Sequence, residues 1–183
     1  MTRKLKIILA TTSLFALAGE MFGPIYAVFV KEIGGDLLTA GGAYGLFAFS
    51  TGLLMFLIAK YEDRVKHQER LIVFSNSIMC IGFLGYLFIS KPIHLFIVQI
   101  ILGVSSAIGS PVYSAVYSRA VDKKRAAFHW GAWESLWYMV AGMAAIIGGY
   151  LANLYGFRFI FVIMFVISLI GLFVSLLLLE KKR

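Results

Sequence analysis

The chain has 183 residues, of which 61% are hydrophobic and 14% are charged, and its net charge is +8. Soluble domains carry about 25% charged residues, so this composition favours a membrane protein. The single cysteine excludes an internal disulfide and a CxxC metal site. The three histidines lack metal-ligand spacing, and HExxH, P-loop, GxSxG and GxGxxG motifs do not occur. The sequence therefore indicates no enzyme, no cofactor and no metal.

The first apolar run, Ile7 to Val30, is long enough to cross a hydrocarbon core of about 30 Å. Glu20 lies inside this run, where a carboxylate is costly in lipid. We therefore expect Glu20 to face a protein interior or a water-filled cavity, as a proton-coupling residue. Pro24 lacks a backbone N–H, so it predicts a helix break beside Glu20. The basic start of the chain also resembles a signal peptide, but apolar character continues past Ala18, which favours an uncleaved span.

Six apolar runs predict an all-α transmembrane bundle in a single domain, residues 1–183. The runs are Ile7–Val30, Leu37–Ala59, Leu71–Ile89, Ile93–Ser118, Ala126–Leu154 and Phe157–Leu179. The termini and the joints after spans two and four hold fourteen of the 17 Lys and Arg residues. The positive-inside rule then predicts that both termini are cytoplasmic, in a bacterial or archaeal plasma membrane. Because topology explains the charge, we expect no nucleic-acid partner.

The spans also suggest an inverted repeat, 1–91 against 92–183. The segment 23–27 (GPIYA) is similar to 110–114 (SPVYS), and small residues of span two match glycines of span five at an offset of 90. Span one starts inside and span four outside, so the two three-helix units have inverted topology. Paired proline-interrupted helices in such repeats indicate a transporter's binding region, with breaks at Pro24 and Pro111. Small residues a turn apart, such as Gly41 and Gly45, make spans two and five candidates for helix contacts.

The joint after span two resembles a sequence motif of a known family. Residues 59–68 (AKYEDRVKHQ) resemble the cytoplasmic Gly-x-x-x-Asp-Arg-x-Gly-Arg-Arg motif of the major facilitator superfamily, with Asp63 and Arg64 matching. The resemblance implies a gating role for these two residues. Span five is similar to the family's glycine-rich antiporter motif at Gly131, Gly148 and Gly149. Span four has Gln99 where many proton-coupled members have Arg, so the resemblance does not extend to an arginine-assisted proton mechanism.

The resemblance covers the chain as one six-helix half of a twelve-helix transporter. In the family, helices two and five pack against the other half, and helices one and four line the cavity. We expect a parallel homodimer through spans two and five. A truncated protein, or an N-terminal half that pairs with a separate C-terminal half, is the alternative.

Candidate substrate contacts concentrate in span five. Trp130, Trp133 and Trp137 surround Glu134, all within an arc of about 100° on one helix face. A carboxylate among indole rings suits an organic cation, although these residues are also typical of an interfacial aromatic belt and of packing. Further candidates for hydrogen bonds to a substrate are Tyr26, Tyr113 and Gln99.

Two function classes follow. The first is a secondary transporter that works by alternating access, with proton- or cation-coupled transport of a small organic substrate. No Lys or Arg lies deep in a span, so cationic substrates are favoured. The second is a non-transporting scaffold or regulatory subunit with the same fold.

Overall fold

The computed structural model describes residues 2–62 and 64–179, and all regular structure in these ranges is helical. A short 3₁₀ turn (Gly23–Ile25) joins α1 to α2, and a second one (Lys123–Arg125) precedes α6. The α-helices are α1 (Arg3–Glu20), α2 (Tyr26–Glu32), α3 (Leu37–Glu62), α4 (Gln68–Tyr86), α5 (Pro92–Ala120), α6 (Ala126–Tyr155) and α7 (Phe157–Leu176). α1 and α2 together form the first span, so the fold is a six-helix bundle.

Five helical segments of the described ranges are long and apolar enough to cross a membrane. They are Arg3–Glu32, Leu37–Glu62, Pro92–Ala120, Lys123–Tyr155 and Phe157–Leu176. The remaining helix, α4, begins with charged residues and has Ser75, Asn76 and Ser77 in its middle. It packs against α5 and α7, so its polar groups are covered by protein rather than lipid.

The first span is interrupted beside Glu20. α1 ends at Glu20, and the 3₁₀ turn that follows has Pro24 in its first positions. Phe22 anchors this interruption in the core. The centroid of its ring lies 5.0 Å from that of Tyr86 and 5.1 Å from that of Phe161, and both pairs are edge to face. Aromatic pairs in this geometry stabilise beyond the area they bury. The interruption is therefore held in place by α4 and α7.

Pro111 does not break its helix, which corrects the expectation from sequence. α5 continues as one α-helix from Pro92 to Ala120 with Pro111 inside it. Buried residues on both sides, Gly109 and Val112 nearest to it, hold the flanking turns against neighbouring helices. Neighbouring helices allow a membrane helix to tolerate proline. Pro24 and Pro111 therefore occupy similar sequence segments, but only Pro24 lies in a helix interruption.

The two predicted repeats have similar helix neighbours in their most extensive contacts. α3 packs against α5 as α6 packs against α1, and α4 packs against α5 as α7 packs against α1. The third helices of the repeats, α4 and α7, pack against each other. Exchanging the two halves reproduces this set of neighbours. The inverted orientation itself stays a prediction.

Candidate functional site

A cavity of about 680 Å³ lies among the helices. Its wall combines hydroxyl and amide groups with several aromatic rings, and one carboxylate. The residues that line it include Glu20, Tyr26, Tyr44, Phe47, Asn76, Tyr86, Gln99, Tyr113, Trp133 and Trp137. Small-molecule sites have this size and this mixture of apolar surface with a few polar groups.

Glu20 is the only Asp, Glu, Lys or Arg that lines this cavity within the described part of the chain. It is the last residue of α1 and is partly exposed to the cavity. Its carboxylate makes no hydrogen bond or ion pair with a described residue. A Cβ atom at position 23 would lie 3.3 Å from Oε2 of Glu20, so Gly23 leaves room for the carboxylate. An unpaired carboxylate within a membrane span is a candidate for binding a cation or a proton.

Two tyrosines of the cavity are held by amides of neighbouring helices. Gln99 of α5 donates from Nε2 to the Tyr26 hydroxyl over 3.0 Å. Asn76 of α4 donates from Nδ2 to the Tyr113 hydroxyl over 2.8 Å, and that hydroxyl can donate back to Oδ1 at 3.2 Å. These pairs satisfy buried polar groups and fix both phenol rings in the wall. Tyr26, Tyr113 and Gln99 are thus brought together in one cavity.

The three tryptophans do not share one environment. Trp133 and Trp137 line the cavity, and Trp130 does not. Trp130 packs instead against Tyr117, with ring centroids 5.0 Å apart, and stacks with Trp133 at 5.7 Å. Tyr117 donates a hydrogen bond of 2.6 Å to the carbonyl of His129, which holds the start of α6 against α5. Trp130 has a packing role in this arrangement.

Glu134 lies on an exposed face of α6 and is not among the residues that line the cavity. The cluster that sequence reasoning drew around Glu134 is therefore divided. The four residues share one arc of about 100°, but Trp133 and Glu134 lie at its opposite edges, so one edge faces the cavity and the other is exposed. Glu20 and Glu134 do not meet in one chain.

The gating candidates lie where α3 ends and α4 begins. Asp63 lies outside the described residues, and Arg64 is exposed. Sequence reasoning missed a group of contacts at this end of the bundle. Gln68 donates from Nε2 to the Glu62 carbonyl at 3.1 Å and accepts a hydrogen bond from Arg119, and Lys4 pairs with Glu69. These bonds tie together the ends of α1, α3, α4 and α5.

Other cavity residues were also missed from sequence. Tyr44 and Phe47 of α3 contact each other, with ring centroids 6.0 Å apart, and the buried Tyr86 of α4 lines the same cavity. No motif marks these residues. Among the described residues, no group of three or more His, Cys, Asp or Glu could hold a metal ion.

Comparison with known proteins gives relatives of one kind. The chain is 25% identical over 174 residues to an uncharacterized MFS-type transporter of Methanocaldococcus jannaschii, covering 95% of this chain and 45% of that protein. It is 26% identical over 147 residues to the uncharacterized MFS-type transporter YitZ of Bacillus subtilis, covering 79% of this chain and 87% of YitZ. The quinolone resistance protein NorB of Staphylococcus aureus is 29% identical over 146 residues, covering 75% of this chain and 30% of NorB.

The fold has a close structural counterpart. The crystal structure of the POT family transporter PepTSo superposes on this chain with a TM-score of 0.77 at 14% sequence identity. The match covers 100% of this chain and 40% of the PepTSo chain. The chain spans about half the length of the Methanocaldococcus relative and less of NorB and PepTSo. The family model of the Major Facilitator Superfamily matches residues 8–183. With this match, the six-helix fold and the transporter relatives, the chain belongs to the Major Facilitator Superfamily.

Proposed function

We propose that this protein is a secondary transporter that exchanges a small organic cation for protons by alternating access. The observation that carries the proposal is the position of Glu20: a carboxylate with no described partner, in a cavity of about 680 Å³ inside a membrane bundle. Such a group can hold either a proton or a positively charged substrate. Because the two compete for one carboxylate, binding of one favours release of the other, which is the requirement for exchange.

The rest of the cavity wall suits an aromatic or aliphatic cation. Trp133, Trp137 and Tyr26 present π-faces or edges to the cavity, and cation–π contacts contribute about 0.5–2 kcal/mol each. Gln99 and Asn76 orient the phenol groups and add hydrogen-bonding capacity. The name of one relative, a quinolone resistance protein, also supports an organic molecule as the transported substrate.

A parallel homodimer is part of the proposal. Gly41, Gly45 and Gly52 of α3 fall within about 40° of one helix face, and a Cβ atom at any of them would meet nothing within 4 Å. Gly131, Gly142 and Gly149 of α6 form a matching row within about 20°, also facing open space. Rows of small residues let membrane helices approach closely.

A second copy of this chain is the occupant that completes the family's plan. Few residues of α3 and α6 are buried within the chain. YitZ, a relative that this chain covers over 87% of its length, is comparably short. Two copies would bring two Glu20 carboxylates, and Glu134 on the exposed side of α6, to a common interior.

The proposal is tested in proteoliposomes that contain the purified protein and a trapped pH-sensitive dye. Ethidium, a planar organic cation, is added on one side, and proton movement is recorded. We expect ethidium-dependent proton flux with the wild type and none with Glu20→Gln. Glu32→Gln is the matched control, because Glu32 lies at the exposed end of α2. A wild type that matches empty liposomes, with ethidium and with a panel of other organic cations, would instead favour a non-transporting membrane subunit.

A further inference from the structure

A second cavity, of about 480 Å³, lies at the end of the bundle where α1 and α6 begin and α5 ends. It shares no lining residue with the central cavity. Its wall combines hydrogen-bond donors with exposed apolar surface. The lining residues are Thr2, Leu5, Ala120, Val121, Asp122, Arg125, Phe128 and His129. This combination differs from the contacts that tie helix ends together at the same end of the bundle, which use Gln68, Glu69 and Arg119.

The polar groups of this second cavity suit an anion that accepts hydrogen bonds. Arg125 is exposed, and its guanidinium makes no hydrogen bond or ion pair within the described ranges. The Thr2 hydroxyl oxygen accepts the Leu5 N–H at 3.4 Å, which leaves its own proton available to donate. Asp122 also lines the cavity, but its Oδ1 accepts the backbone N–H of Lys124 at 3.0 Å. A guanidinium and a hydroxyl together are typical ligands of a phosphate group.

The apolar groups indicate a lipid rather than a soluble anion. The Phe128 side chain is 70% exposed at the rim, and Leu5 forms a buried floor that is only 2% exposed. The cavity lies where apolar helices end and basic joints begin, which is the depth of lipid head groups. Lys123 and Lys124 add positive charge beside Arg125, on the side predicted to be cytoplasmic, where anionic lipids attract basic groups.

We propose that this cavity binds the head group of an anionic phospholipid. Arg125 and Thr2 contact its phosphate, and Phe128 lies along the first part of its acyl chains. The proposed ligand is a lipid of the bilayer and not the transported substrate. The lipid proposal therefore does not depend on the transport mechanism.

The site is tested by native mass spectrometry of protein released from nanodiscs of equal parts phosphatidylglycerol and phosphatidylcholine. We expect the wild type to retain phosphatidylglycerol in preference to phosphatidylcholine. Arg125→Ala should reduce that preference about fivefold, as expected for one basic residue near a membrane surface. Lys91→Ala is the matched control, since it removes one exposed positive charge from the opposite end of α5. Phe128→Ser should shorten lipid retention without changing charge.

Three outcomes overturn the proposal. One is equal retention of both lipids by the wild type, and another is an Arg125→Ala variant that retains phosphatidylglycerol as the wild type does. The third is displacement of phosphatidylglycerol by millimolar inorganic phosphate or glycerol phosphate, which would identify a site for soluble anions. Because Arg125 is exposed, the variant should fold, and a single symmetric gel-filtration peak checks this.

Discussion

Gly148 of α6 lies against the backbone of Met21, in the interruption that follows α1. A Cβ atom at position 148 would lie 1.9 Å from the Met21 carbonyl oxygen and 2.7 Å from its Cα atom. These obstructing atoms are main chain, so no side-chain movement can relieve the overlap. Only glycine permits α6 to approach the chain this closely, one residue beyond the Glu20 carboxylate.

Gly148→Ala should therefore push α6 away from the interruption and disturb the cavity. Overpacking of this kind costs about 1–3 kcal/mol. We expect a lower midpoint of thermal unfolding in detergent and reduced ethidium-dependent proton flux. Gly42→Ala is the control, because a Cβ atom at that position would lie 3.7 Å from the Phe96 ring, which is an ordinary van der Waals contact. Equal behaviour of the two variants would contradict the close contact.

Glu20→Gln should separate coupling from exchange. Glutamine resembles the protonated carboxyl group but cannot release a proton, so proton-driven uptake should be abolished while exchange of labelled for unlabelled substrate continues. The pH dependence of both reactions in proteoliposomes measures this. Adding Glu134→Gln tests the second carboxylate. A double variant that transports with the wild-type pH profile would show that neither carboxylate couples.

The tryptophans of α6 should differ in function. Trp137 lines the cavity and is 36% exposed, so Trp137→Ala should weaken binding of an organic cation by about 2- to 30-fold, the loss of one cation–π contact. Trp133→Ala should act similarly. Trp130→Ala should lower thermal stability instead, since this ring packs on Tyr117 outside the cavity. Titration of ethidium fluorescence against each purified variant measures the binding, and the midpoint of thermal unfolding measures the stability.

Bulky residues on the α3 and α6 faces should weaken the homodimer. Gly45→Leu introduces a branched side chain where a second copy would approach, and Ala145→Leu does so on α6. Cross-linking in lipid should then give fewer dimers. Ile170→Phe on α7 is the control, because Ile170 is 50% exposed on a helix outside the proposed contact. Monomers alone at every protein density in the wild type would refute the homodimer.

Asp36 gives a prediction for pH. Its Oδ1 accepts hydrogen bonds of 2.7 Å from both the backbone N–H and the hydroxyl of Thr39. Asp36 thereby caps the start of α3. These hydrogen bonds lower the pKa of Asp36 from its ordinary value of 3.8. The cap is thus fully present above pH 3.8 and is lost as the pH falls through the lowered pKa. Hydrogen exchange at Thr39 should accelerate on acidification in the wild type and be unaffected by pH in Asp36→Asn, after correction for intrinsic exchange.

Sequence reasoning predicted the helices better than the site. The length of an apolar run is a local property, so the six-helix bundle, the interruption near Pro24 and the family were within reach. In the described ranges, five of the six predicted spans are long and apolar enough to cross a membrane, and α4 is the exception. Pro111 was misjudged because the cost of a proline depends on the helices packed around it. Trp130 and Glu134 were grouped with the cavity residues because of their spacing on one helix. In the structure, Trp130 packs against Tyr117 and Glu134 is exposed, so neither lines the cavity.

By itself, the sequence determined that this is an all-helical membrane protein of six helices, and that Glu20 is the single acidic residue of the run Ile7–Val30. Both properties follow from composition and spacing along the chain. Only the tertiary structure decided that Glu20 shares a cavity with Tyr26, Gln99 and Trp137, and that Gly148 lies against the Met21 backbone whereas Gly149 faces open space. These relationships join helices far apart in sequence, and packing selects them because backbones can approach only where side chains leave room.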